Sequence, residues 1–154
     1  MNKLFLYYLY IKMGNTQANI RNFQIQPDNY SESSKKYKLN ILGTPLKTCS
    51  LDPLTGYNRS GSCSYDIADE GTHLICGIVN NDFLNFTRLQ GNDLITPSRN
   101  FPGLKEGDKW CLCVYRWIEA YKYNPQIAPM IVGESTHMKV LKYIPMKVLE
   151  KYIS

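Results

Sequence analysis

Cys49, Cys63, His73 and Cys76 form the densest gathering of nucleophilic and metal-ligating side chains in the chain. Three thiolates and one imidazole have the composition of a tetrahedral zinc site. Their spacing argues less for it: there is no C-x2-C knuckle, only His73-x2-Cys76 and two isolated cysteines. If His73 and Cys76 lie on one strand, they point to opposite faces. The same residues admit a Cys49–Cys63 disulfide. They also admit a thiol enzyme, in which Cys49 or Cys63 is activated by His73 or His137. His137 follows Thr136 at the start of an expected helix, where the helix dipole disfavours a cation and suits a neutral base or ligand. Against these stand inert buried thiols and ordinary hydrogen-bonding histidines.

A second set is polar. Asp52, Thr55, Arg59, Asn92, Asp93 and Thr96 lie in Gly/Pro-rich loops, and with His137 they are candidates to line a ligand cleft on a rigid scaffold. Asp and Asn in such loops equally well bond their own backbone to hold a turn. Glycine-rich phosphate loops, serine-nucleophile elbows and paired carboxylates at helical spacing are absent as recognisable motifs.

The stretch "GDKWCLCVYRWIEAYK" places Cys111 and Cys113 between Trp110 and Trp117. With Asp108 as N-cap, the spacing predicts a helix from Lys109 to Lys122. Trp110, Val114, Trp117 and Tyr121 then share a face, and Arg116 and Glu119 can pair on the other. On that helix the two cysteines point about 200° apart, so they cannot chelate one ion. Cys113 is expected in the buried arc and Cys111 at its border.

The elements that must position these residues can be read in order. "KLNILG" is a short strand candidate closed by Gly43 and Pro45. "CSLDPLTGYNRSGSC" is a long turn-rich loop. "HLICGIV", 73–79, is a buried strand candidate. "NNDFLNFTRLQG" reads as a helix capped by Asn80 or Asn81 and closed by a left-handed Gly91. "NDLITPSRNFPGLKEGD" is a second long loop. "APMIVGES" is another strand candidate. Thr136 is expected to cap a short helix that Pro145 ends, and "MKVLEKYI" to form a last helix.

Composition bounds the class. The chain has 154 residues, 44% hydrophobic and 20% charged, which suits one soluble globular domain with a real core. Eighteen Lys plus Arg against thirteen Asp plus Glu leave +5. Without a dense basic block carrying interleaved aromatics, no nucleic acid partner is expected. Richness in Asn, Lys, Ile and Tyr reads as coding bias of an AT-rich genome. Five cysteines are an odd number. Free cysteines in a cytoplasmic or other reducing compartment are therefore expected. The triplets at Asn29, Asn58 and Asn85 matter only in a secreted chain.

The N-terminal run "LFLYYLYI" is too short for a membrane span of about 20 residues. Lys12 cuts it short, and no small-x-small cleavage site follows closely. Translation from Met13 would expose Gly14 in "MGNTQA", an imperfect acylation start because Ala18 stands where Ser or Thr is preferred. Residues 14–37 are polar, so 1–37 is expected to be a flexible extension and 38–154 the folded domain.

"NILGTPLKTCSLDPLTGYNRSGSC", "DEGTHLICGIVNNDFLNF", "GNDLITP", "FPGLKEGDKWCLCVYRWIEA" and "ESTHMKVLKYIPMKVL" resemble successive blocks of an uncharacterised family, domain of unknown function 2237. They span residues 40 to about 150, in the family's order. Relatives often carry two adjacent cysteines at "GSC"; here Ser62 replaces the first, so any joint role of that pair is halved. The resemblance implies one domain and no particular reaction.

The expected architecture is α+β: a single compact domain with a short β-sheet, three or four helices and long ordered loops. The expected function is a binding or interaction module, with a small molecule or protein partner held against the two loops. The competing reading is a thiol- or zinc-dependent enzyme using the Cys/His set, with zinc as its candidate cofactor.

Overall fold

The computed structural model describes residues 39–154. The expectations for the N-terminal extension, for Gly14 and for Asn29 lie outside the described residues. Among the described residues the architecture is α+β: a small antiparallel sheet, three helices and long connecting loops. The strands are β1 (Ile75–Ile78), β2 (Lys109–Leu112) and β3 (Met130–Ile131), in the order β2-β1-β3. The helices are α1 (Asn81–Leu89), α2 (Val114–Tyr123) and α3 (Met146–Leu149), with 3-10 turns at Gly133–Ser135 and Met138–Lys142. Among the described residues no helix is long and apolar enough to cross a membrane.

The sheet has two chemically distinct faces. In the β1/β2 register Ile75 opposes Leu112 and Gly77 opposes Trp110, while Cys76 opposes Cys111. Facing residues on paired strands share a side. One side therefore carries Ile75, Leu112 and Trp110 into the main core, with Phe83, Leu84, Val114 and Trp117. The other side presents the two cysteines, which cluster with Cys49 and Cys63.

Local chemistry decides α1. The Asn80 side chain accepts from Phe83 N at 2.7 Å, and Gly91 takes φ +83 just past the C-terminus. Phe83, Leu84 and Phe86 are its buried face.

The segment from Lys109 does not wind as a helix. Residues 109–112 are strand, Cys113 is the N-cap residue of α2, and only Val114–Tyr123 is helical. Asp108 serves the preceding turn instead: its Oδ2 accepts from Lys105 N at 2.9 Å. Periodicity misleads here because Trp110 is needed opposite Gly77. Leu112 fills the space where a Cβ on that glycine would sit. Cross-strand pairing thus outweighs the helical pattern upstream of Cys113. Within α2 the expected features hold: Trp117 and Tyr121 stack with centroids 5.5 Å apart, and Arg116 pairs with Glu119 at 3.0 Å.

Other segments are less regular than expected. The described residues of "KLNILG", 39–43, make only isolated bridges, Leu39 with Pro45 and Asn40 with His137. Asn40 replaces a ladder there. Its amide donates to Thr44 Oγ1, Pro45 O and Glu134 O, and its Oδ1 accepts from Leu42 N and Thr44 N. "APMIVGES" contributes two strand residues and a 3-10 turn. Past Ile131, single bonds continue the pairing with β1: Val132 N to Cys76 O, Thr136 Oγ1 accepting from Cys76 N, and His137 N to Leu74 O. The short helix after it is 3-10 and is capped by His137, not Thr136, because the Thr136 hydroxyl is already committed.

Candidate functional site

The first long loop is held by its own backbone. Cys49 N and Ser50 N both donate to Gly61 O, and Gly61 N donates to Thr55 O. Gly56 and Gly61 take φ +96 and +82, which permits the tight return. The loop is fastened to the outer edge of the sheet by Thr55, whose buried hydroxyl accepts from Cys111 N at 2.8 Å. The second long loop is closed by Leu104 N donating to Leu94 O. Asp93 organises its start, accepting from Ile95 N, Thr96 N and Thr96 Oγ1. Those bonds, the Thr96 hydroxyl first, hold the Asp93 carboxyl below the usual carboxylate range.

Between these loops lies a cleft of about 270 Å³, with β2 residues Trp110 and Cys111 among its walls. The first loop contributes Gly56, Tyr57 and Arg59, the second Asp93, Leu94 and Phe101, and the turn before β1 adds His73. The Arg59 guanidinium lies 4.9 Å from the Trp110 ring centroid. Phe101 meets the same indole edge to face, at 5.3 Å. Tyr57 stacks against His73.

His73 is fixed by a carboxylate behind it. Its Nδ1 lies 2.7 Å from Asp69 Oδ1, and its backbone N donates to Asp69 Oδ2 at 2.8 Å. The Asp69 side chain is only 2% exposed, against 35% for His73. An acceptor at Nδ1 makes that nitrogen the donor and leaves Nε2 as the ring nitrogen that Asp69 does not engage.

One lining residue of the cleft and one chain neighbour of another hold strained backbone. Arg59 has φ 53 and Thr72, next to His73, has φ 48. The left-handed region is costly for a side chain with a Cβ, most of all for a β-branched one. Thr72 is fixed there by its carbonyl, which accepts from both Leu74 N and Val114 N.

The cysteines depart from expectation. Four of the five are not free thiols: Cys49 bonds Cys76, and Cys63 bonds Cys111. The Cys49–Cys63 bond that the sequence admits is not the one formed. Cys76 and Cys111, opposite each other on β1 and β2, each reach one cysteine of the first loop. Cys113 alone is free and half-buried. Cys111, expected at a helix border, is 1% exposed.

Of the polar candidates, Arg59 and Asp93 line the cleft. Thr55 lies beneath it as a fastener. Asn92 caps the end of α1, donating to Thr87 Oγ1, and Thr96 serves the Asp93 turn. Asp52 is exposed on the first loop. His137 is buried away from the cleft lining, with Nδ1 accepting from Lys139 N. His73 does not join the cluster formed by the Cys49, Cys63 and Cys76 sulfurs, and its Nδ1 is engaged by Asp69. Sequence reasoning missed Asp69, Tyr57, Phe101 and Trp110. The available signals were an aspartate four residues before His73, and the alternation of Trp110 and Leu112 about Cys111.

A family model described as an uncharacterised protein conserved in bacteria, domain of unknown function 2237, matches residues 39–153. The chain belongs to this family. No curated protein matches it. Membership in the 2237 family carries no established function. The match begins at the first described residue, so the cleft and all five cysteines fall within the 2237 domain.

Proposed function

We propose that this 2237 domain is a small-molecule binding module, and that its ligand occupies the cleft between the two long loops. The convergence of both loops and His73 on one cleft carries this reading. The ligand carries an acid group for Arg59, whose planar fork suits carboxylate or phosphate. It carries a hydrogen-bond donor for Asp93, and an apolar or planar portion for Trp110 and Phe101. A volume of about 270 Å³ lies just below the ~300–1,000 Å³ of drug-sized pockets, which favours a compact metabolite. The strained Arg59 and Thr72 support the same place, because strain of this kind is retained where function needs it.

A second reading, proton transfer on the bound molecule, is favoured by the Asp69–His73 pair, whose orientation suits a general base at Nε2. The thiol-dependent version of that reading requires the disulfides to be opened first. The two disulfides weigh against the expected reducing compartment, so the binding reading is stated for the oxidised chain.

The test is a screen of amino acids and small carboxylates by NMR. Ligands are expected to shift the Trp110 indole resonance. Arg59→Asn, which tolerates the left-handed backbone, is expected to weaken binding at least about tenfold while leaving the fold intact. Hits that shift only residues remote from Tyr57, Asp93 and Trp110 would refute the reading.

A further inference from the structure

We propose that the four paired cysteines form a redox-gated metal site: closed as two disulfides, and able on reduction to bind one zinc ion through the Cys49, Cys63 and Cys76 thiolates. This site lies on the cysteine side of the sheet, and although Cys111 also borders the loop cleft, the zinc test needs no ligand there.

The sulfurs of Cys49, Cys63 and Cys76 all lie within 4.8 Å of one another, although Cys63 is bonded to neither of the others. Zinc–sulfur bonds of ~2.3 Å in a tetrahedron set sulfurs about 3.8 Å apart. Small side-chain rotations therefore convert the cluster into a coordination shell. Cys111, bonded to Cys63 and facing Cys76 across the ladder, lies outside this trio, so three thiolates hold the ion and water completes the tetrahedron.

Hydrogen bonds hold these positions in addition to the sulfur–sulfur bonds. Cys76 and Cys111 are held by strand pairing, and their amides by the buried Thr136 and Thr55 hydroxyls. Cys49 is held through its amide to Gly61 O. Opening both disulfides thus leaves the sulfurs gathered in an apolar pocket with Val132. Bare thiolates are costly there, and a divalent ion removes that cost.

The balance is simple. Each disulfide takes two electrons and two protons from a dithiol, which leaves as its own disulfide. The ion then displaces a proton from each thiol that ligates it, and those protons go to solvent.

The experiment uses the full chain, reduced anaerobically with a phosphine, desalted, and given Zn2+ alone. Metal analysis is expected to find about one zinc per reduced chain and none on the oxidised chain. Zinc is expected to slow alkylation of Cys49, Cys63 and Cys76 by at least about tenfold and to leave Cys113 unchanged. Cys113→Ser should retain the ion and Cys49→Ser should lose it. Reduced chain that keeps its circular dichroism yet takes up no zinc overturns the proposal. So does protection that falls equally on Cys113. Should reduction alone unfold the chain, zinc present during reduction must restore the helical signal, and failure to do so also overturns it.

Discussion

Single residues carry the loop geometry. Gly56 sits at φ +96, and a Cβ there would meet Ser62 O at 2.6 Å. Neither the backbone conformation nor the contact can relax cheaply, because Ser62 neighbours the disulfide-bonded Cys63. Gly56→Ala is expected to cost about 2 kcal/mol or more, read as a lower urea midpoint at unchanged slope. A midpoint equal to the native chain's would show the loop to be softer than its hydrogen bonds imply. Arg59 and Asp93 were legible in sequence, because charged side chains in Gly/Pro-rich loops are either turn-makers or ligands. Asp93 proves to be a turn-maker whose carboxylate still borders the cleft. Asp69 was barely legible: its place four residues before His73 is the one signal, and an ordinary turn aspartate can share it.

At the scale of elements, α1 could be read because its cap, apolar face and terminating glycine are all local. β2 could not. Its strand state is set by a partner in β1, far away in sequence, and by Thr55 closing its outer edge. Thr55→Val keeps the shape and removes that acceptor, leaving the Cys111 amide buried and unpaired. A loss of about 1–3 kcal/mol is expected, with faster hydrogen exchange at Cys111 than at Ile75. Unchanged exchange at Cys111 would mean that the loop does not guard this edge. The other edge depends on the C-terminal segment. Ile131 N donates to Tyr152 O, and the Tyr152 hydroxyl donates to Pro125 O at 2.8 Å while its ring packs on Trp117. Burial, with Tyr121 a lesser cause, raises the Tyr152 pKa above its ordinary value of 10.0. A raised pKa means stability that is fully present below pH 10.0 and lost as pH climbs through the folded value. Chemical denaturation between pH 9 and 11 should therefore show a decline that is smaller in Tyr152→Phe. That variant should itself cost about 1 kcal/mol at neutral pH for the lost hydrogen bond.

The described domain is built on a small sheet with one apolar face and one sulfur face. The apolar run of β1 was readable as a buried strand, but the division into two faces was not, because Trp110 and Leu112 were expected on a helix. The sulfur pairing was not, because spacing alone cannot choose among the connectivities of four cysteines. The two bonds interleave, joining residues 27 and 48 positions apart, so each crosses a loop that the other closes. Loop-closure entropy assigns about 3.5 kcal/mol to the first and about 4 kcal/mol to the second. Those values cannot simply add, since closing either loop already restricts the unfolded chain for the other. Removing Cys49–Cys76 by paired alanines should then cost about 3.5 kcal/mol, and removing both bonds distinctly less than about 7.5 kcal/mol. Urea unfolding of the single-bond and no-bond variants, against the oxidised native chain, measures both quantities. A fully additive loss would show that the bonds act through separate native-state contacts, and not through the shared entropy of an interlocked unfolded chain.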